Sequence, residues 1–226
     1  MSTIAENIST LGERIHAAAC AAQRDPASIG LLAVSKTKPA SDLREAYAAG
    51  LRDFGENYLQ EALNKQLELA DLPLIWHFIG PIQSNKTRAI AEHFDWVHSV
   101  DRLKIAQRLS EQRPTQLPPL NICIQVNVSG EASKSGCKPD DLPALAQAIT
   151  ALPNLRLRGL MAIPEPTNDS AKQNAAFAAV RNLQDQLKLP LDTLSMGMSH
   201  DLDAAIAQGA TWVRIGTALF GARHYG

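Results

Sequence analysis

The chain has 226 residues, 45% hydrophobic and 20% charged, with 22 Lys plus Arg against 23 Asp plus Glu and a net charge of -1. This is the balance of an ordinary globular protein, and it gives no support for nucleic-acid binding or for adhesion to an anionic membrane. Cys20, Cys123 and Cys137 are odd in number and lack C-x-x-C spacing, so neither a disulfide framework nor a zinc site is expected.

Ile4, Ile8, Leu11 and Ile15 recur at helical spacing and predict an amphipathic helix over 3–23. Glu6, Glu13 and Arg14 interrupt it, so it is no secretory leader; no stretch reaches the length of a membrane span, and the chain reads as cytoplasmic. The apolar run Leu31 to Val34, ended by Ser35-Lys36 and stopped by Pro39, predicts a short buried strand that delivers an amine to its end. Such a lysine has two readings. It snorkels into solvent, or burial disfavours its charged form and leaves a neutral amine able to condense with an aldehyde.

Ser41 is expected to cap a helix over 41–49, ended by Gly50. A second strand over 51–57 runs into a helix with Leu59, Ala62, Leu63, Leu67 and Ala70 on one face. A third strand, 74–79, ends in Gly80-Pro81 before a helix over 85–93. A fourth, 96–100, is followed by Asp101 as cap of a helix over 101–112, and a fifth covers 120–128. Pro139 is placed to open a helix over 139–151. Strand six, 155–163, is followed by a helix over 169–187; strands seven and eight, 194–197 and 212–216, bracket a helix over 200–208, with a last helix over 217–225. Eight strands alternating with helices predict one α/β domain over 1–226, a parallel (β/α)8 TIM barrel with an extra N-terminal helix. A doubly wound open sheet is the competing architecture, because periodicity does not see closure.

In such barrels the site lies at the C-terminal ends of the strands. Lys36, Glu56, Asn57, His77, Gly80, Ser99, Asn127, Ser195, Ser199, Arg214, Gly216 and Thr217 fall there in this assignment. Asn57, Ser99 and Asn127 are equally readable as turn or cap residues. After strands seven and eight, Gly197 with Ser199 and Gly216 with Thr217 place a glycine and a hydroxyl at a helix start. That arrangement holds phosphate in this fold, although the hydroxyls also read as plain N-caps. Asp201 and Asp203 would repel a phosphate and are expected to face away. A lysine for an aldehyde and a phosphate site across the mouth point to pyridoxal 5'-phosphate, with Arg214 on the face of Gly216 and able to reach the pyridine nitrogen.

The blocks Ala33 to Pro39, Phe54 to Tyr58, Trp76 to Lys86, Gly159-Leu160-Met161, Ser195 to Ser199 with Asp201, and Arg214 to Thr217 resemble the pyridoxal phosphate homeostasis proteins over about residues 30–222. The resemblance implies a fold-type III barrel like the N-terminal domain of alanine racemase, with Lys36 as Schiff-base lysine. It also implies Asn57 near the cofactor, Ser199, Gly216 and Thr217 on its phosphate, and Arg214 facing its ring nitrogen. It further implies a protein that binds and buffers pyridoxal phosphate for PLP and amino-acid homeostasis, without an established reaction, and Lys134 as a relay lysine. Expected partners are PLP and recipient apo-enzymes; net charge and the absence of a long apolar patch are compatible with a monomer.

The alternative is a PLP-dependent racemase or decarboxylase. Racemisation needs a base on each face of the substrate, and beyond Lys36 only Tyr58 or His77 offers itself, both equally suited to packing at the rim. A cation at Arg214 weakens the electron sink, and only the predicted helix 217–225 follows strand eight, where homologous enzymes have a second domain. A PLP-independent binding module would require the Lys36 and phosphate-site matches to be accidental. Cys137 reads as an exposed spectator.

Overall fold

The structure, a computed structural model, describes residues 2–130 and 135–222. Eight parallel strands close into a barrel in sequence order, β1 Gly30–Val34, β2 Asp53–Glu56, β3 Ile75–Phe78, β4 Trp96–Val100, β5 Leu120–Gln125, β6 Leu155–Met161, β7 Thr193–Ser195 and β8 Trp212–Ile215, with β8 pairing back onto β1. Closure removes the open-sheet alternative. It also leaves no strand edge exposed, which suits strands this short and apolar.

Helices cover the outside: α1 Ile4–Ala21, α2 Ala40–Ala48, α3 Leu59–Glu68, α4 Thr87–His93, α5 Leu103–Gln112, α6 Leu142–Thr150, α7 Ser170–Gln186, α8 Leu202–Ala207 and α9 Thr217–Phe220. The helices bury their apolar stripes, as α2 does with Leu43 and Ala46 and α5 with Ile105, Ala106 and Leu109. The extra helix α1 starts with a capping box in which Thr3 and Glu6 satisfy each other's backbone N–H. It buries Leu11, Ile15 and Ala19 against its neighbours α2, α8 and α9.

Several boundaries differ from expectation for local reasons. Ser41 does not cap α2, which begins at Ala40 after Pro39; Asp101 does not cap α5 but pairs with Arg102. Pro139 opens a 3-10 turn, Pro139–Asp141, that leads into α6. In α3 the buried positions are Ala62 and Lys65, while Leu67 is 79% exposed. The apolar pattern misassigned that face because a lysine occupies it. Cys137 is buried rather than exposed, its N–H donating to Gln125 O and its carbonyl accepting from Asn127 N–H; burial pushes its thiol up to about 11. Lys134 and residues 223–225 of the expected helix 217–225 lie outside the described residues. Among the described residues no helix is long and apolar enough to cross a membrane.

Candidate functional site

At the C-terminal mouth of the barrel a cavity of about 310 Å³ is lined by Lys36, Asn57, Ser199, His200, Arg214, Gly216 and Thr217, with Val34, Ile79, Ile163 and Met198 as apolar wall. This volume lies at the small end of ligand pockets, and polar groups converging within an apolar lining are the usual composition of one. The apolar members had no motif to mark them in the sequence; only closure of the barrel brings Ile79 and Ile163 to Lys36.

The Lys36 segment is fixed from both sides. Ser35 Oγ donates to Glu56 Oε1 at 2.6 Å, and Lys65 Nζ donates to Ser35 O at 2.7 Å and to Glu56 Oε1 at 2.8 Å. Glu61 Oε1 accepts from Lys65 Nζ and from Thr37 N–H at 2.6 Å. Thr37 sits at φ 63°, a left-handed conformation rare for a β-branched residue, and strain of this kind persists where neighbours enforce it. Glu56 is fully buried and desolvation raises its pKa, opposed by Lys65; its Oε2 has no hydrogen-bond partner. Nearby, Lys38 is also buried, its ammonium donating to the carbonyls of Phe220, Gly221 and Ala222. Lys36 is half-buried and lines the cavity.

Asn57 follows β2, and its Oδ1 is buried without a partner. Its backbone is held by close approach of Gly80, where a Cβ would lie 2.2 Å from Asn57 O. Ser99, expected near the mouth, spends its hydroxyl on Gly80 O at 2.5 Å, and Asn127 Oδ1 organises its own turn through Ser129 and Gly130. Both take the structural role.

Across the mouth, the chain leaves β7 through Gly197 at φ 98°, a backbone conformation that favours glycine. Ser199 is half-buried and three residues ahead of α8, so it is not a helix cap; the N-cap position belongs to Asp201. Asp201 turns into its own loop, Oδ1 accepting from Met198 N–H at 2.6 Å, instead of facing away. Asp203 does face away, to Arg14 of α1, and Arg14 Nη1 donates to Ser199 O at 2.7 Å. With six and four residues, α8 and α9 contribute little dipole, so any anion here is met by hydroxyls and local N–H groups. At Gly216 a Cβ would come within 3.3 Å of Val34 O, which keeps β8 close to β1 beneath the cavity.

Arg214 points into the barrel. Its Nη1 donates to Ser195 Oγ at 2.9 Å and its Nη2 to Ala162 O at 2.9 Å, and burial lowers its pKa to about 10, still a cation at neutral pH. His77 is not at the rim. It is fully buried in the lower barrel, stacked on Trp96 with ring centroids 5.5 Å apart, and Tyr58 is 56% exposed. Neither occupies the cavity lining.

The sequence matches the family described as alanine racemase, N-terminal domain, over residues 2–224. It is 79% identical over 226 residues to the pyridoxal phosphate homeostasis protein of Pseudomonas aeruginosa, covering 100% of this chain and 98% of that protein. The chain belongs to the pyridoxal phosphate homeostasis protein family. The Escherichia coli member is 53% identical over 235 residues, covering 100% of this chain and 99% of the other. PipY of Synechococcus elongatus, solved with PLP bound, superposes with a TM-score of 0.86 at 44% identity, over 97% of this chain and 100% of PipY. Alanine racemase of Corynebacterium glutamicum shares the fold, with a TM-score of 0.69 at 19% identity over 97% of this chain and 61% of the racemase.

The residues at the mouth fit the group this family is named for. An amine at Lys36, hydroxyls at Ser199 and Thr217, a buried cation at Arg214 and an orphaned amide oxygen at Asn57 supply donors and acceptors of the right kinds around one small cavity.

Proposed function

We propose that this protein binds pyridoxal 5'-phosphate at the barrel mouth through Lys36 and holds it for exchange, buffering the cofactor in the cytoplasm. The observation that carries the reading is the convergence of Lys36, Asn57, Ser199, Arg214, Gly216 and Thr217 on one cavity. When bound, the cofactor supplies an aldehyde that condenses reversibly with primary amines.

Lys36 provides the protein amine, held at the cavity by the Glu56, Lys65 and Glu61 contacts on its flanking residues. Lys38 and Lys65 are poor substitutes, because their ammonium groups are occupied by buried acceptors. Ser199 and Thr217 donate to the phosphate, with Gly216 giving the backbone room to approach it. Asn57 brings its unpartnered oxygen toward the ring substituents. Arg214 presents a cation to the ring nitrogen, which discourages protonation there and so disfavours carbanion chemistry. A racemase needs a second base, and the two sequence candidates are placed elsewhere, His77 in the lower barrel and Tyr58 largely in solvent, while His200 on the cavity lining has its Nε2 3.2 Å from Asp201 Oδ2. The relatives are named for pyridoxal phosphate homeostasis, and PipY has been solved with PLP bound. Carrier chemistry therefore fits this site better than turnover, with apo-enzymes as recipients and a monomer as the working unit.

The test is an absorbance titration with PLP, borohydride reduction and peptide mapping. A reduced pyridoxyl group on Lys36, lost in Lys36→Ala with the fold retained, is the expected result. Modification of another lysine in the wild-type protein, or of none, overturns the assignment.

A further inference from the structure

Five polar groups form an unbroken chain across the barrel interior, from the first residue of β2 to the cation beneath the mouth. Arg214 Nη1 lies 2.9 Å from Ser195 Oγ, Ser195 Oγ 2.7 Å from His98 Nδ1, His98 Nε2 2.9 Å from His77 Nδ1, and His77 Nε2 2.9 Å from Asp53 Oδ1. Ser195, His77 and His98 are fully buried, and the Asp53 side chain is 22% exposed. The proposed carrier function uses only the Arg214 end.

The direction of the chain is set at its Asp53 end. A carboxylate only accepts, so a neutral His77 donates from Nε2 and accepts at Nδ1 from His98 Nε2–H. His98 Nδ1 then accepts the hydrogen of Ser195, whose oxygen accepts from the Arg214 guanidinium. Both imidazoles are neutral and fully satisfied in this order. An added proton on His77 Nδ1 would set two donors against each other, and one on His98 Nδ1 would turn the buried Ser195 hydrogen away from its acceptor. The surroundings agree. Burial lowers both histidine pKa values, that of His98 well below the ordinary value with further repulsion from His77 and Arg214, while Asp53 and Asp95 only partly oppose the effect at His77. From β4 and β8 the rings meet Trp96 and Trp212, and Cys123 of β5, packed on Trp96, is a thiol pushed up to about 12.

We propose that Ser195, His98, His77 and Asp53 are positioning residues for Arg214, a one-way chain that fixes the acceptor of the buried guanidinium and so aims it at the cofactor ring. This rests on the reading of Arg214 as the ring-facing cation.

Two measurements test it separately. Nitrogen-15 NMR of the histidine side chains in the ligand-free protein should show His77 and His98 as neutral Nε2–H tautomers, unchanged between about pH 5 and pH 8, where free imidazole titrates. A Nδ1–H tautomer or ordinary titration at either residue overturns the chain. Ser195→Ala should then bind PLP about threefold to tenfold more weakly, but bind the analogue with C–H in place of the ring nitrogen as the wild type does. Equal losses for both ligands make Ser195 merely structural and overturn the positioning role. If the wild type does not distinguish the two ligands, Arg214 is not the ring-facing group and the proposal falls, whatever the NMR shows of the chain itself.

Discussion

At the lower end of the barrel interior, His77 and His98 each use both ring nitrogens, and Trp96 and Trp212 seal them in. At the mouth, Asn57 holds a buried oxygen without a partner, Thr217 is exposed and the hydroxyl of Ser199 borders a cavity. The same barrel thus completes its polar groups at one end and leaves them incomplete at the other. A buried polar group without a partner costs free energy, so the incomplete end is where a ligand gains most by binding. The complete end can only lose by change.

Beside the mouth, Lys65 shows what completion is worth. It is 5% exposed and shared between Glu56, Glu61 and the carbonyl of Ser35. Lys65→Met should destabilise the protein by about 3–5 kcal/mol, because it strands a buried carboxylate. Adding Glu56→Gln should recover most of that loss. Denaturant midpoints at neutral pH check both, and a change below about 1 kcal/mol in the single variant would mean that the cluster behaves as a surface pair.

The lower end makes a prediction of opposite kind, in which nothing is mutated. His77 and His98 have pKa values below the ordinary histidine value when folded. As pH falls through about 6.5 the unfolded chain takes up protons that the folded chain refuses. Stability should therefore be full above that pH and fall below it, until the folded-state values are reached. The slope is up to ~1.4 kcal/mol per pH unit for each histidine. Glu56, raised by burial, acts with the opposite sign and offsets part of the fall, so Glu56→Gln should steepen it. Urea unfolding between about pH 8 and pH 5.5 measures the slope; a flat profile in Glu56→Gln would mean the histidines titrate in the fold as they do in the unfolded chain.

The closed barrel was legible because strand-length apolar runs and helical periodicity alternate along the chain, and the mouth was legible because its polar residues follow those runs. Lys36 and Arg214 were found that way. His77 was misplaced because a strand residue with its neighbours in the W-H-F-I-G block looks the same whether its ring lies at the rim or beneath it, and only register decides. Lys65 was missed because a lysine on an amphipathic helix normally faces solvent, and its acidic partners Glu56 and Glu61 reach it from β2 and from one turn earlier in α3. Ser199 was expected at a helix start, with an N-cap as its alternative role, but the chain runs on to Asp201 before α8 begins, which removes the cap.

The smallest effect comes from the incomplete end. Ser199 and Thr217 have no other element depending on their hydroxyls among the hydrogen bonds described, whereas the backbone of Ser199 is held by Arg14. Ser199→Ala and Thr217→Ala should therefore leave stability unchanged while each weakens PLP retention by about 1.5 kcal/mol, roughly tenfold. The visible spectrum of bound PLP should not move, because the amine and ring contacts stay. Pyridoxal, which has the same aldehyde and ring but no phosphate, separates this from general loosening of the mouth. If both variants weaken PLP and pyridoxal equally, the hydroxyls shape the cavity without meeting the phosphate; if only PLP suffers, this side of the mouth is the phosphate site.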